Sequence, residues 1–229
     1  METRDPWSNP IPLGGVSVEG AFMAKVYRWM AAGLGLTALF AWAVADSPAL
    51  QRAIFGTPFV FFGLLIAELV MVVAFSRMVQ KVSFGVAAAM FLAYCALSGL
   101  TFAVYLLAYT ASSVASTFFV TGGMFLGMSA YGTLTKKDLS SWGSFLMMGL
   151  IGVIIASVVK LFLRSDAMGF VLSCAGVVVF TGLTAYDTQK IRHFADAGDD
   201  RLALHGALAL YLDFINLFIM LLRLLGRRR

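Results

Sequence analysis

The sequence predicts an all-α integral membrane protein, a bundle of seven transmembrane helices, and three observations carry that reading. Hydrophobic residues make up 60% of the 229 positions and charged residues 13%, where an ordinary soluble domain has roughly 45–50% and about 25%. Mean hydropathy is +0.88. Apolar runs near the roughly 20 residues that cross a hydrocarbon core recur along the chain, separated by short polar connections. Helices are the expected element, because an unpaired backbone amide in lipid costs several kcal/mol and the runs lack the alternation of a β-barrel.

Taken in order, Met1–Gly20 carries Pro6, Pro10, Pro12 and paired glycines and reads as a flexible polar tail. It is too mixed for a cleavable signal, and the apolar run after it is too long for a signal h-region. Residues 21–229 then form a single seven-helix domain. The expected spans are Trp29–Ala45, Ala53–Phe75, Val82–Leu107, Val114–Leu134, Trp142–Phe162, Ala167–Thr188 and Leu202–Gly226. Cys95 and Cys174 fall inside apolar runs and read as small buried hydrophobes.

Positive charge sets the expected orientation. With the amino terminus in the cytoplasm, Arg4, Lys25, Arg28, Arg77, Lys81, Lys136, Lys137, Lys190, Arg192 and Arg201 lie on the inner face, against Arg52, Lys160 and Arg164 outside. Arg223 and Arg227–Arg229 then emerge outside if the last segment crosses fully, as its length suggests. The net charge of +5 is spread between apolar runs, which points to a topology signal and anionic-lipid contact and excludes nucleic acid as a partner.

Small residues in the fourth span, Gly123 and Gly127 in GxxxG spacing with Gly122, Ser129 and Gly132 around them, predict close helix packing there. Gly149 and Gly152 suggest the same in the fifth. Ionisable groups inside apolar runs are functional candidates by default. Glu68 lies in the second span, Asp187 near the inner end of the sixth, Asp213 deep in the seventh, and Arg77 at the inner end of the second. Asp187 and Asp213 sit on sequential helices, and they meet if the seventh helix starts in the cytosol near Arg201. Two carboxyls in contact would hold one shared proton, or recruit a cation once fully ionised. Ca²⁺ wants six to eight oxygens, so two acids make a weak, passing site and no storage cage. His205 reads as an interfacial or capping group rather than a ligand, and, two turns before Asp213, it could tune that acid's protonation.

TAYDTQKI (Thr184–Ile191), ALxLYLDFINLFxxLLRLLG (Ala207–Gly226) and YGTLTKKDLSSWGSFL (Tyr131–Leu146) resemble the Bax inhibitor family, the transmembrane Bax inhibitor motif proteins, and specifically its bacterial members. The resemblance extends from about Val18 to Gly226. It implies a central C-terminal helix wrapped by the other six and a pH-sensitive calcium leak in the bacterial inner membrane. It also implies that Asp187 and Asp213 are the family's aspartate pair, Glu68 its second-helix acid on the ion pathway, and Arg77 the latch that holds the pair when the pore is shut. Ca²⁺ and H⁺ are then the partners, with no resident cofactor.

Rival classes fit less well. An intramembrane aspartyl protease expects Gly-x-Gly before its second aspartate, where this chain has Leu210-Tyr211-Leu212. A retinal pump needs a lysine in the seventh helix, and Leu202–Gly226 has none. No HExxH accompanies His193 and His205, and Gly127–Gly132 is not a GxSxG elbow. An enzyme is therefore not expected. The remaining alternative is a non-transporting adaptor that modulates a membrane-bound protease or stress-response complex, with Met1–Gly20 as its handle.

Overall fold

The computed structural model describes residues 17–163 and 165–229. Among the described residues eight α-helices follow one another: α1 Val18–Asp46, α2 Pro48–Phe55, α3 Pro58–Met78, α4 Phe84–Ala108, α5 Ala111–Leu134, α6 Ser140–Leu163, α7 Asp166–Arg192 and α8 Asp200–Leu225. All but the short α2 are long and apolar enough to cross a membrane. A 3₁₀ turn, His193–Ala197, joins α7 to α8.

The helix starts are written in the sequence as short polar caps. Ser17, Ser47, Ser83, Thr110 and Ser165 each accept a hydrogen bond from a backbone amide in the turn that follows, supplying a donor with the partner it would otherwise lack in lipid. Asp199 does the same for α8 through Arg201 N at 2.9 Å. Pro48 and Pro58 open α2 and α3 from the first turn, where a proline's missing N–H costs nothing.

Two boundaries differ from hydropathy. The tail expected over Met1–Gly20 falls outside the described residues as far as Val16, as does Arg164, and Val18–Gly20 already belong to α1. The first helix outruns its apolar stretch because Phe22, Met23 and Val26 form a buried stripe before Trp29. The second run, expected from Ala53, is split by Gly56-Thr57-Pro58, so Ala53 belongs to α2 and the span begins at Pro58.

The amino-terminal face is bound together by contacts between connections. Lys25 pairs with Asp200, and Arg192 with Glu19 at 2.5 Å. Arg201 donates to the carbonyls of Gln80 and Val82 at 2.8 and 3.2 Å. On the opposite face the chain end lies along the α4–α5 connection: Thr110 N donates to Arg227 O at 3.1 Å and Arg229 N to Ala108 O at 3.0 Å. The last segment therefore crosses completely, and the two termini of the described chain lie on opposite faces.

Within the bundle α8 is the most enclosed span, with 56% of its apolar stretch buried against 6% for α3. Its principal neighbours are α7, α1, α5 and α4, while α3 packs mainly on α4 and α6 on α7. Tyr211, Leu204, Leu210, Leu217 and Leu222 of α8 are among the largest side chains fully removed from the surface.

The expected packing glycines are corrected by this geometry. A Cβ on Gly123 or Gly127 would meet open space, as it would on Gly122 and Gly152. The buried stripe of α5 is Ser113, Thr117, Thr121, Phe125, Ser129 and Gly132, on a different side from the GxxxG pair. The close approach is at Gly132, where a Cβ would collide with the Ala185 carbonyl of α7. Gly149 does meet a neighbour, Val179. Gly132→Val is expected to lower stability by about 1–3 kcal/mol through overpacking, whereas Gly127→Ala should leave the melting temperature of the purified protein unchanged.

Candidate functional site

Asp187 and Asp213 come together because the turn between their helices is taller than a loop. At 1.5 Å per residue Asp213 lies about 20 Å along α8 from Asp200. Asp187 is about 8 Å from the end of α7, and the 3₁₀ turn adds about 10 Å at 2.0 Å per residue. The depths therefore match, and each carboxyl is near enough to bear on the charge of the other. Gly198, at φ 63°, ends the 3₁₀ turn in the left-handed region that a Cβ disfavours. Arg201 then clamps Asp199 at 2.8 Å and holds its carboxyl below the usual carboxylate range, fixing where α8 begins.

Asp213 is 4% exposed, and its Oδ2 has no protein partner among the described residues. Asp187 is half-buried. The cation near enough to act on Asp187 is Lys190, one turn further along α7, its ammonium 5.8 Å from the centre of the Tyr186 ring. Arg77, expected as the latch, is exposed and makes no hydrogen bond or ion pair among the described residues. Its place in the last turn of the peripheral α3 keeps it apart from the pair in this conformation. His205 Nδ1 is buried and makes no hydrogen bond among the described residues, to the carboxyls or to any other group, and the ring sits against Phe194, 6.2 Å between centroids.

A hydroxyl chain stands beside Asp187. Thr188 Oγ1 donates to Thr184 O at 2.6 Å, so it accepts from Ser129 Oγ at 2.9 Å. Ser129 has then used its proton and accepts from the Tyr27 hydroxyl. This relay ties α1 and α5 to the residue after Asp187. Gln189 adds a two-point clamp, accepting from Leu139 N and donating to Lys137 O, both at 2.8 Å.

Glu68 belongs to a second polar group. Its Oε1 accepts from Thr101 Oγ1 at 2.5 Å. Thr37 Oγ1 donates to the carbonyls of Gly33 and Cys95, so Tyr211 OH donates to it at 2.7 Å. Tyr211 precedes Asp213 by two residues, about 200° round a helix of 3.6 residues per turn. The acid pair and the tyrosine therefore occupy opposite sides of α8. The sequence reading gave no site role to Lys190, Tyr27, Ser129, Thr188 or Tyr211, although it placed Ser129 in a packing stripe and Lys190 on the inner face. The i, i+4 spacing of Thr184 and Thr188 and the buried Ser/Thr stripe of α5 were the available signals.

No group of three or more His, Cys, Asp or Glu converges among the described residues, so the pair is a two-carboxylate site. The arrangement defines a polytopic membrane protein whose enclosed last helix presents a buried acid to the acid of its neighbour. The family model described as Inhibitor of apoptosis-promoting Bax1 matches residues 19–229. The chain belongs to this Bax inhibitor family.

It is similar to the inner membrane protein YbhL of Escherichia coli K12, 49% identical over 215 residues covering 91% of this chain and 92% of the relative. An uncharacterized protein of Borreliella burgdorferi is 43% identical, covering 93% and 95%. An uncharacterized membrane protein of Streptococcus pyogenes serotype M3 is 36% identical, covering 90% and 92%.

If the hydroxyl relay holds α5 to α7, Ser129→Ala and Thr188→Val should each lower the melting temperature. A double-mutant cycle should then return a coupling of about 0.6 kcal/mol, the usual worth of one interhelical hydrogen bond in a membrane.

Proposed function

We propose that this protein is a pH-sensitive Ca²⁺ leak of the bacterial inner membrane, with its amino terminus in the cytoplasm, and that the Asp187–Asp213 pair is its gate. The observation that supports the reading is the meeting of two carboxyls inside the bundle. A hydrogen bond between two carboxyl oxygens needs a proton on one of them. Loss of that proton leaves two like charges in a poorly solvated space, which must separate or gather a cation. A helix that carries one of them, enclosed by four neighbours, cannot relieve the repulsion without shifting.

Protonation state is thereby converted into position of α8. Lys190 moderates the Asp187 end of the pair, and His205 stands close to Lys190. Ca²⁺ is cargo here: a pair of carboxylates supplies fewer oxygens than the six to eight the ion prefers, so it is held briefly and passed on. Glu68 offers a further acidic position along the route. The inner-membrane placement is supported by the YbhL relative, and the cytoplasmic amino terminus by the excess of Lys and Arg on that face. No covalent chemistry is assigned to the protein.

Asp213→Asn keeps a hydrogen-bonding side chain while removing its titration. In calcium-loaded vesicles it should change the flux and abolish its pH dependence, and Asp187→Asn should behave alike. An unaltered pH profile in both variants would sink the gate. Absence of flux from the unmodified protein would instead favour the adaptor reading, in which it modulates a membrane-bound protease or stress-response complex.

A further inference from the structure

The face opposite the amino terminus holds a cavity of ≈ 770 Å³ between the ends of α4, α6, α7 and α8. Three cations line it: Lys160 from α6, Arg223 from the last turn of α8 and Arg228 from the chain end. One carboxylate, Asp166, shares the lining. Among the described residues none of the three cations forms an ion pair, and three cations against one carboxylate leave the lining net positive.

Each cation is held by a different contact. Arg223 Nη2 donates to Tyr105 OH at 3.2 Å. Arg228 is positioned by the backbone bonds of Arg227 and Arg229 to the α4–α5 connection and pairs in a short antiparallel bridge with Tyr109. The Lys160 ammonium rests over the first turn of α7 at Gly169, where a Cβ would collide with it.

The rim is of the other character. Val104, Val158 and Phe170 line the same cavity and are exposed on the lipid-facing surface. A cationic interior beside an apolar rim matches an amphiphile with a negative head and apolar chains. A free anion would use the cations and leave the rim idle.

We propose that this cavity binds an anionic phospholipid, its phosphate held by Lys160, Arg223 and Arg228 and its acyl chains laid against Val104, Val158 and Phe170. Charge-assisted bonds to phosphate fix the head, and apolar contact sets the chains. The site lies on the face opposite the α7–α8 turn, so it is separate from the acid pair.

The test uses the full chain in phosphatidylcholine nanodiscs, titrated with phosphatidylglycerol while lipid retention is read by native mass spectrometry and stability by melting. Phosphatidylglycerol should be retained and raise the melting temperature, with both effects weakening at high salt; glycerol phosphate should do neither. K160Q should weaken binding about fivefold and K160Q/R223Q/R228Q about a hundredfold, at the usual worth of a basic side chain near an anionic lipid. A control variant, R28Q/K81Q/K136Q, removes the same charge from the amino-terminal face and should bind as the unmodified protein does. If the triple cavity variant does not fold, K160Q alone decides. Unchanged binding in K160Q, equal loss in the control, or a full shift from glycerol phosphate would each overturn the proposal, the last by making the ligand a soluble anion.

Discussion

The structure depends on accommodating one carboxyl, that of Asp213, near the middle of a helix that crosses lipid. An ionised aspartate at such a depth costs about 3 kcal/mol or more even by insertion measurements. Enclosing α8 removes the group from lipid but not from the need for a partner. The partner is Asp187, and the meeting is arranged by the geometry of the turn. Were His193–Arg201 a plain loop, Asp213 would lie deeper than Asp187 by about two helical turns. The 3₁₀ extension of α7 lifts the reversal point until the two depths agree, and Gly198, Asp199 and Arg201 set the new start of α8. Contacts at one membrane surface therefore determine which side chains meet about 20 Å below it.

Around this hairpin the bundle is unevenly tied. The end of α7 is held by the Gln189 clamp, the Thr188–Ser129–Tyr27 relay and the bonds of Arg192 to Glu19 and Thr133 O. By contrast α3 leans mainly on α4 and α6 on α7. Helices with few interior contacts are displaced at lower cost than those bound on several sides. The uneven ties make α7 a firmly held wall beside the acid pair, with the loosely held α3 and α6 at the periphery.

Much of this was legible in the residues. Runs of apolar residues located every span because lipid leaves the chain no alternative to helices, whereas the starts, set by Ser, Thr and Asp caps, lay outside what hydropathy reads. Asp187 and Asp213 stood out by being acids where acids are costly. What hydropathy lacks is phase. It could not separate α2 from α3, because Ala53–Phe55 is as apolar as the span after Pro58 and only Gly56-Thr57-Pro58 marks the break. The GxxxG spacing says that Gly123 and Gly127 share a side of α5 without saying which side, and Ser129 and Gly132 turned out to be the contact. Arg77 was named as the latch from the family resemblance, whereas the cation beside Asp187 is on the same helix, one turn away, at Lys190.

The opposed placement of Tyr211 and Asp213 adds a constraint on how α8 moves. Rotation that draws Asp213 away from Asp187 also swings Tyr211 out of its bond with Thr37, and Tyr211 is fully buried against Phe91 and Tyr94. Translation along the helix axis breaks both contacts too, but carries the ring past neighbours one turn away rather than through them. Interiors this closely packed resist continuous deformation. Under the proposed gate, separation of the acid pair is therefore a step between two packed arrangements that also breaks the Tyr211–Thr37 bond.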